Sequence, residues 1–273
     1  MLHDALRRFY EKAKAKLKQP VLLMPGCEPW AVPMMQASLE EALGDAKAKV
    51  WLGHPALYEA KRQELLRIVR DFLAWEIDDN RKLESKAARN YKVLRTGVDE
   101  HELAFEEVVM ERDGIRFRFR GRIDRVEVGV DQRVPSTGFV AAVDYKSSRS
   151  GVPGAGDAAA WEDGVMLQLP LYATALLSLR PDAKISRVEY RTLRGDPSKV
   201  PLQLVGVEDR QLALDAEGAA RMNAAFDAVV RHVRAVRGGE FPVRPAPSCA
   251  CPPFCHAWDI CRVPGGPRSR RDR

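Results

Sequence analysis

At 273 residues, 45% of them hydrophobic, the chain can bury one large core or two small ones, and its composition is that of a globular rather than a disordered protein. Lys and Arg number 44 against 38 Asp and Glu, a formal net charge of +6 that favours a polyanionic partner without requiring one. No run approaches the roughly 20 consecutive apolar residues that span a bilayer, and the N-terminus lacks a signal-peptide pattern, so a cytoplasmic protein with no membrane association is expected.

In chain order, Leu2, Leu6, Phe9 and Leu17 recur at near-helical spacing, so the chain begins inside a helix with no capping residue ahead of it. A second helix is predicted over Ala56 to Asp78, with Leu65, Leu66, Val69, Phe72 and Leu73 on one stripe. After a Lys-rich passage the period changes to that of strands, Glu102 to Met110 and Ile115 to Val128, joined by Asp113-Gly114 as a hairpin turn. In the second strand Ile115, Phe117 and Phe119 alternate with Arg116, Arg118 and Arg120, one face apolar and the other basic. A third strand, Phe139 to Lys146, leads through a Gly/Ala/Ser-rich loop into a helix from about Met166 to Leu179. A strand over Lys184 to Thr192 and a helix over Ala216 to Val236, stopped by Gly238-Gly239, complete a mixed α/β pattern. Arg268, Arg270, Arg271 and Arg273 end the chain as a disordered basic tail.

Two short segments carry the chemistry: Gly121-Arg122-Ile123-Asp124 and Asp144-Tyr145-Lys146, both at predicted strand ends. Residues two apart on a strand share a face, so Asp144 and Lys146 project together, and Asp124 can reach them from the neighbouring strand. Paired carboxylates repel, and a divalent cation with a preference for oxygen ligands, Mg²⁺ or Mn²⁺, neutralises them and activates water against a phosphate. A lone Asp-x-Lys is common, and by itself reads as a surface salt bridge.

In order, Gly121-x-x-Asp124, Asp144-x-Lys146 and Gln168-x-x-x-Tyr172 resemble the motifs of the PD-(D/E)xK nucleases, in particular the RecB/AddB branch. His3, Leu6 and Phe9 match the second half of that branch's histidine-helix pattern, whose glycine would precede Met1, so the chain is expected to begin partway through the family's domain. Glu102 and Phe105 resemble a Glu-x-x-Phe strand of the family. The resemblance implies a restriction-endonuclease-like mixed central sheet flanked by helices, with a C-terminal cysteine-bound cluster region. It implies that His3, Asp124, Asp144 and the Tyr145 carbonyl bind Mg²⁺ or Mn²⁺, that Lys146 assists the water, and that Gln168 and Tyr172 position substrate. Arg116, Arg118, Arg120 and Arg122 share the parity of Asp124 and can track a DNA backbone unless Gly121 carries a bulge that breaks the phase.

Cys249, Cys251, Cys255 and Cys261 form a dense group of soft ligands that suits zinc or an iron–sulfur cluster. The resemblance to AddB-type and CRISPR-associated nucleases favours a four-iron, four-sulfur cluster, with the final Cys255-x5-Cys261 spacing matching and Cys251-x3-Cys255 departing from the family pattern. Either Cys249 is the fourth ligand, or the family's upstream cysteine lies outside this chain. Cys27 reads as a small buried residue.

The expected organisation is a nuclease domain over residues 1–262, with a mainly helical part at 1–95, a catalytic core at 96–240, a cysteine cluster at 241–262, and a tail at 263–273. The resemblance implies a DNA exonuclease in an AddAB/RecBCD-like helicase–nuclease system of double-strand break repair. No Gly-x4-Gly-Lys-Ser/Thr motif occurs, so a helicase partner or a helicase portion of a larger protein is expected. Rival readings are a non-catalytic iron–sulfur DNA-binding module and a stand-alone nuclease of the CRISPR-adaptation type.

Overall fold

In the computed structural model, the described residues are 1–50, 53–89, 94–131, 134–147, 152, 164, 167–195, 197, 199–208 and 211–240. They fall into two compact units, divided between Val229 and Val230. Cys249, Cys251, Cys255, Cys261 and the basic tail lie outside the described residues.

Helix α1 (Leu2–Leu17) turns Ala5, Leu6, Phe9, Tyr10 and Ala13 inward at spacings of three and four, and ends on Lys18 in the left-handed region. Helix α2 (Glu28–Lys49) is not marked by the periodicity, because Pro29, Pro33 and Gly44 interrupt its pattern. Its buried side chains, Met35, Leu39, Ala42 and Leu43, still repeat at helical spacing. Helix α3 (Pro55–Arg89) runs well beyond the predicted Asp78. Together α1, α2 and α3 bury a cluster that includes Leu6, Phe9, Met35, Leu39, Leu65 and Phe72, and that takes in Val143 and Tyr145 from the sheet.

The sheet is five-stranded in the order β1 (Leu94–Arg112), β2 (Ile115–Asp131), β3 (Val134–Lys146), β4 (Lys184–Thr192) and β5 (Lys199–Gln203). The β1–β2, β2–β3 and β4–β5 pairs are antiparallel. The β3–β4 pair is parallel, which requires a crossover, and helix α4 (Gln168–Leu179) lies within it. The β1–β2 turn has Asp113 and Gly114 both at positive φ, as an Asp-Gly hairpin requires. Strands β6 (Val205–Glu208) and β7 (Gln211–Leu214) form a separate two-stranded ribbon before α5 (Ala216–Arg237). Gly239, at φ +76°, follows the end of α5, and the Glu240 N–H closes on the Ala235 carbonyl at 2.8 Å.

A second cluster, with Phe105, Ile123, Val126, Ala142, Leu169, Leu176 and Val188, joins the sheet to α4. The inward parity of β2 changes along its length, since Phe119 and Ile123 but then Val126 and Val128 belong to this cluster. Asp124 and Arg125 therefore sit where the strand breaks phase. The irregularity considered at Gly121 lies against it on the partner strand: Gly121 pairs with Phe105 and Phe119 with Val108, so β1 carries one extra residue there, and a Cβ at Gly121 would meet the Phe105 ring at 2.8 Å.

Candidate metal centre

The break in β2 delivers Asp124 to the carboxyl end of β3. Its Oδ2 accepts the Tyr145 main-chain N–H at 2.8 Å and lies 3.4 Å from His3 Nδ1 at the start of α1. On β3, Lys146 Nζ lies 2.6 Å from Asp144 Oδ2, as the shared strand face requires. Gln168, the first residue of α4, ties these groups together. Its Nε2 donates to Asp144 Oδ1 at 2.5 Å and to the Tyr172 hydroxyl at 2.8 Å, and its Oε1 accepts from Lys146 Nζ at 2.8 Å. Tyr172, one helical turn on, donates to Asp144 Oδ1 at 3.4 Å. Lys146 Nζ also sits 4.9 Å above the Tyr190 ring, so an aromatic face from β4 flanks the ammonium.

Burial pushes the Asp124 carboxyl up, a shift that the Tyr145 N–H opposes and the charge of Asp144 reinforces. Burial likewise raises Asp144, with Lys146 pulling it back. A buried acid, Asp144, and a partly buried one, Asp124, each disfavoured in its charged form and set beside an imidazole nitrogen, form a donor set suited to a hard divalent cation, whose charge removes the repulsion. His3, Glu102 and Asp124 each offer a ligand atom, all within 4.8 Å of one another. Glu102 is the acidic residue that the motif pattern underweights.

Arg116, Arg118, Arg120 and Arg122 are exposed along β2 leading to Asp124. Arg118 pairs with Glu107 at 3.1 Å and Arg122 with Glu102 at 3.2 Å. Both lie on the surface, where such pairs are screened and exchangeable.

The residue after each aspartate turns to the helix-covered face. Arg125 meets Glu76 of α3 at 2.7 Å and Glu127 at 2.5 Å, and donates at 3.0 Å to both the Tyr10 and the Tyr145 hydroxyls. Arg191 reaches Glu127 at 2.8 Å and Glu189 at 2.5 Å, and Arg187 reaches Glu127 at 2.6 Å and Glu189 at 3.1 Å. The three arginines and three glutamates balance in charge, which is how a polar group of this size stays buried. The sequence pattern does not reveal this network, because Arg187, Glu189 and Arg191 alternate along β4 as a solvent-facing strand would.

Among the described residues no helix is long and apolar enough to cross a membrane. No curated protein matches the chain. A solved structure described as the crystal structure of SSO0001 is similar at 14% identity, covering 82% of this chain and 94% of that one with a TM-score of 0.29. The model of the PD-(D/E)XK nuclease superfamily, whose members are typically metal-dependent nucleases using ions such as Mg²⁺ or Mn²⁺, matches residues 1–262, and the chain belongs to that superfamily.

Proposed function

We propose that this chain hydrolyses phosphodiester bonds of DNA, acting from strand ends, with Mg²⁺ or Mn²⁺ bound by His3, Asp124, Asp144 and the Tyr145 carbonyl. The observation that carries the reading is the closed contact set of Asp144, Lys146, Gln168 and Tyr172 across β3 and α4, beside Asp124. The bound ion supplies Lewis acidity toward a phosphate oxygen and a lowered pKa for a coordinated water. Lys146, held by Asp144 and Gln168, orients that water and offsets phosphate charge. Gln168 and Tyr172 fix the ammonium and receive the substrate phosphate, and the exposed arginines of β2 hold the DNA backbone without reading sequence.

The four C-terminal cysteines hold an iron–sulfur cluster that is structural, and the domain works beside a helicase in an AddAB/RecBCD-like system. The motif order supports both claims through its resemblance to the RecB/AddB branch, and the sequence itself holds no Gly-x4-Gly-Lys-Ser/Thr motif that would supply the motor. Anaerobically purified protein then contains iron and acid-labile sulfide in equal amounts, whereas stoichiometric zinc without iron gives the site to zinc.

The test of the activity compares linear end-labelled DNA with covalently closed circular DNA, in Mg²⁺, in Mn²⁺ and in chelator. Metal-dependent loss of the linear substrate alone is the expected result. Cutting of the circle makes the enzyme an endonuclease, and binding of linear DNA with no cleavage in either metal returns the chain to a DNA-binding module.

A further inference from the structure

We propose that Glu102 is a metal ligand, completing with His3 and Asp124 a donor set contributed by α1, β1 and β2. The inference rests on the metal-dependent reading above and adds to it a residue that the acid–lysine motif does not contain.

Geometry comes first. The ligand atoms of His3, Glu102 and Asp124 all lie within 4.8 Å of one another, close enough for one cation to touch all three after small side-chain adjustments. Asp144 is differently placed. Its Oδ1 receives Gln168 at 2.5 Å and Tyr172 at 3.4 Å, and its Oδ2 faces the Lys146 ammonium at 2.6 Å. Asp144 Oδ2, though it faces the ammonium, makes no hydrogen bond among the described residues and stays available to a cation, while Glu102 is paired among the described residues with Arg122, whose side chain is 63% exposed.

The backbone supplies an independent argument. Glu102 has φ +53° inside a strand, a conformation that non-glycine residues adopt at a cost. The pairing of His101 with Arg125 and of Leu103 with Ile123 sets Glu102 opposite Asp124. The His101 ring is stacked on Tyr10 at 4.7 Å, which anchors β1 to the helix that carries His3. An exposed pair with Arg122 returns less than this backbone conformation costs, so the surface salt bridge does not account for the placement. A third ligand at a divalent ion does. The charge of Glu102 also contributes to raising the Asp124 carboxyl, as expected of acids gathered for a cation.

The experiment is a Mn²⁺ titration of the full chain without DNA, read by calorimetry and by loss of the free-ion electron paramagnetic resonance signal. Thermal melting is followed in parallel. The variants are Glu102→Gln, Glu102→Gly, Asp124→Asn and, as a carboxylate control on the same strand, Glu107→Gln. Wild type and Glu107→Gln are expected to bind alike, and both Glu102 variants to bind at least about tenfold more weakly. Glu102→Gly, which relieves the positive φ, is expected to melt no lower than wild type while losing the ion, a result that a purely structural Glu102 would not give. Glu102 variants within twofold of wild type, with Asp124→Asn abolishing binding, would overturn the proposal and leave the metal site standing. No Mn²⁺ uptake by folded wild type would overturn both.

Discussion

Arg125 and Tyr145 meet behind the candidate centre, the guanidinium donating to the phenolic oxygen at 3.0 Å, while the Tyr145 main-chain N–H reaches forward to Asp124 Oδ2 at 2.8 Å. Asp124 and Arg125 are consecutive, so the β2–β3 junction is fixed from both faces of the sheet. One face carries the groups proposed for chemistry, and the other a charge-balanced network that ties β2, β3 and β4 to α1 and α3.

Breaking that network is predicted to be expensive. Glu76, 1% exposed, faces Arg125 at 2.7 Å, Arg191 at 3.7 Å and the Tyr10 hydroxyl at 2.6 Å. Glu76→Leu leaves excess positive charge in the core and should cost about 3–5 kcal/mol in urea unfolding. Lys61→Ala, which removes the exposed pair with Glu64, should cost at most about 1 kcal/mol. Equal, small losses in the two variants would contradict the assignment of a structural role to the network.

A second prediction concerns the seat of α5 on the sheet. A Cβ at Gly218 would stand 1.7 Å from the Gln203 carbonyl oxygen, a backbone atom that cannot rotate away. The Gly218 N–H donates to Asp215 Oδ1 at 2.7 Å at the start of the helix, which holds the backbone at this close approach. Gly218→Ala should therefore exceed the usual overpacking cost of about 1–3 kcal/mol, read as a lowered melting temperature. A melting curve superimposable on wild type would show that the approach is not as close as described.

Cys27 gives a chemical check on the helical layer. It is 9% exposed within the first core cluster, and burial pushes its thiol up to about 11, with Glu28 adding to the shift. Because the thiolate is the nucleophile, alkylation at pH 8 should be at least about tenfold slower in the folded chain than in urea. Peptide mass spectrometry resolves Cys27 from the C-terminal cysteines, and equal rates in the two states would place Cys27 on an open surface.

Strand β4 and the start of α5 coincide with their sequence patterns because both elements carry an uninterrupted period. Helix α2 escapes the same analysis because two prolines and a glycine mask a buried face that tertiary packing still uses. Of the candidate site, Asp144, Lys146, Gln168 and Tyr172 are legible because strand and helix periodicities dictate which of them share a face. Glu102 is marked only by its place in a Glu-x-x-Phe pattern, and its approach to Asp124 is not legible, since it depends on a left-handed residue within β1 and a change of phase within β2, neither of which a pattern of residue types encodes. The buried arginines and glutamates are hidden for a different reason: whether a polar strand face meets water or helices is decided by elements distant in the chain.

The most direct test of the proposed centre is single-turnover cleavage of end-labelled DNA in Mn²⁺ by wild type, Asp144→Asn and Lys146→Ala, each shown to fold by its melting curve. The account predicts metal-dependent cleavage by wild type and a loss of at least about a hundredfold in both variants. Cleavage that persists undiminished in both folded variants would contradict it, because the hydrolysis would then belong to groups other than those gathered at the end of β3.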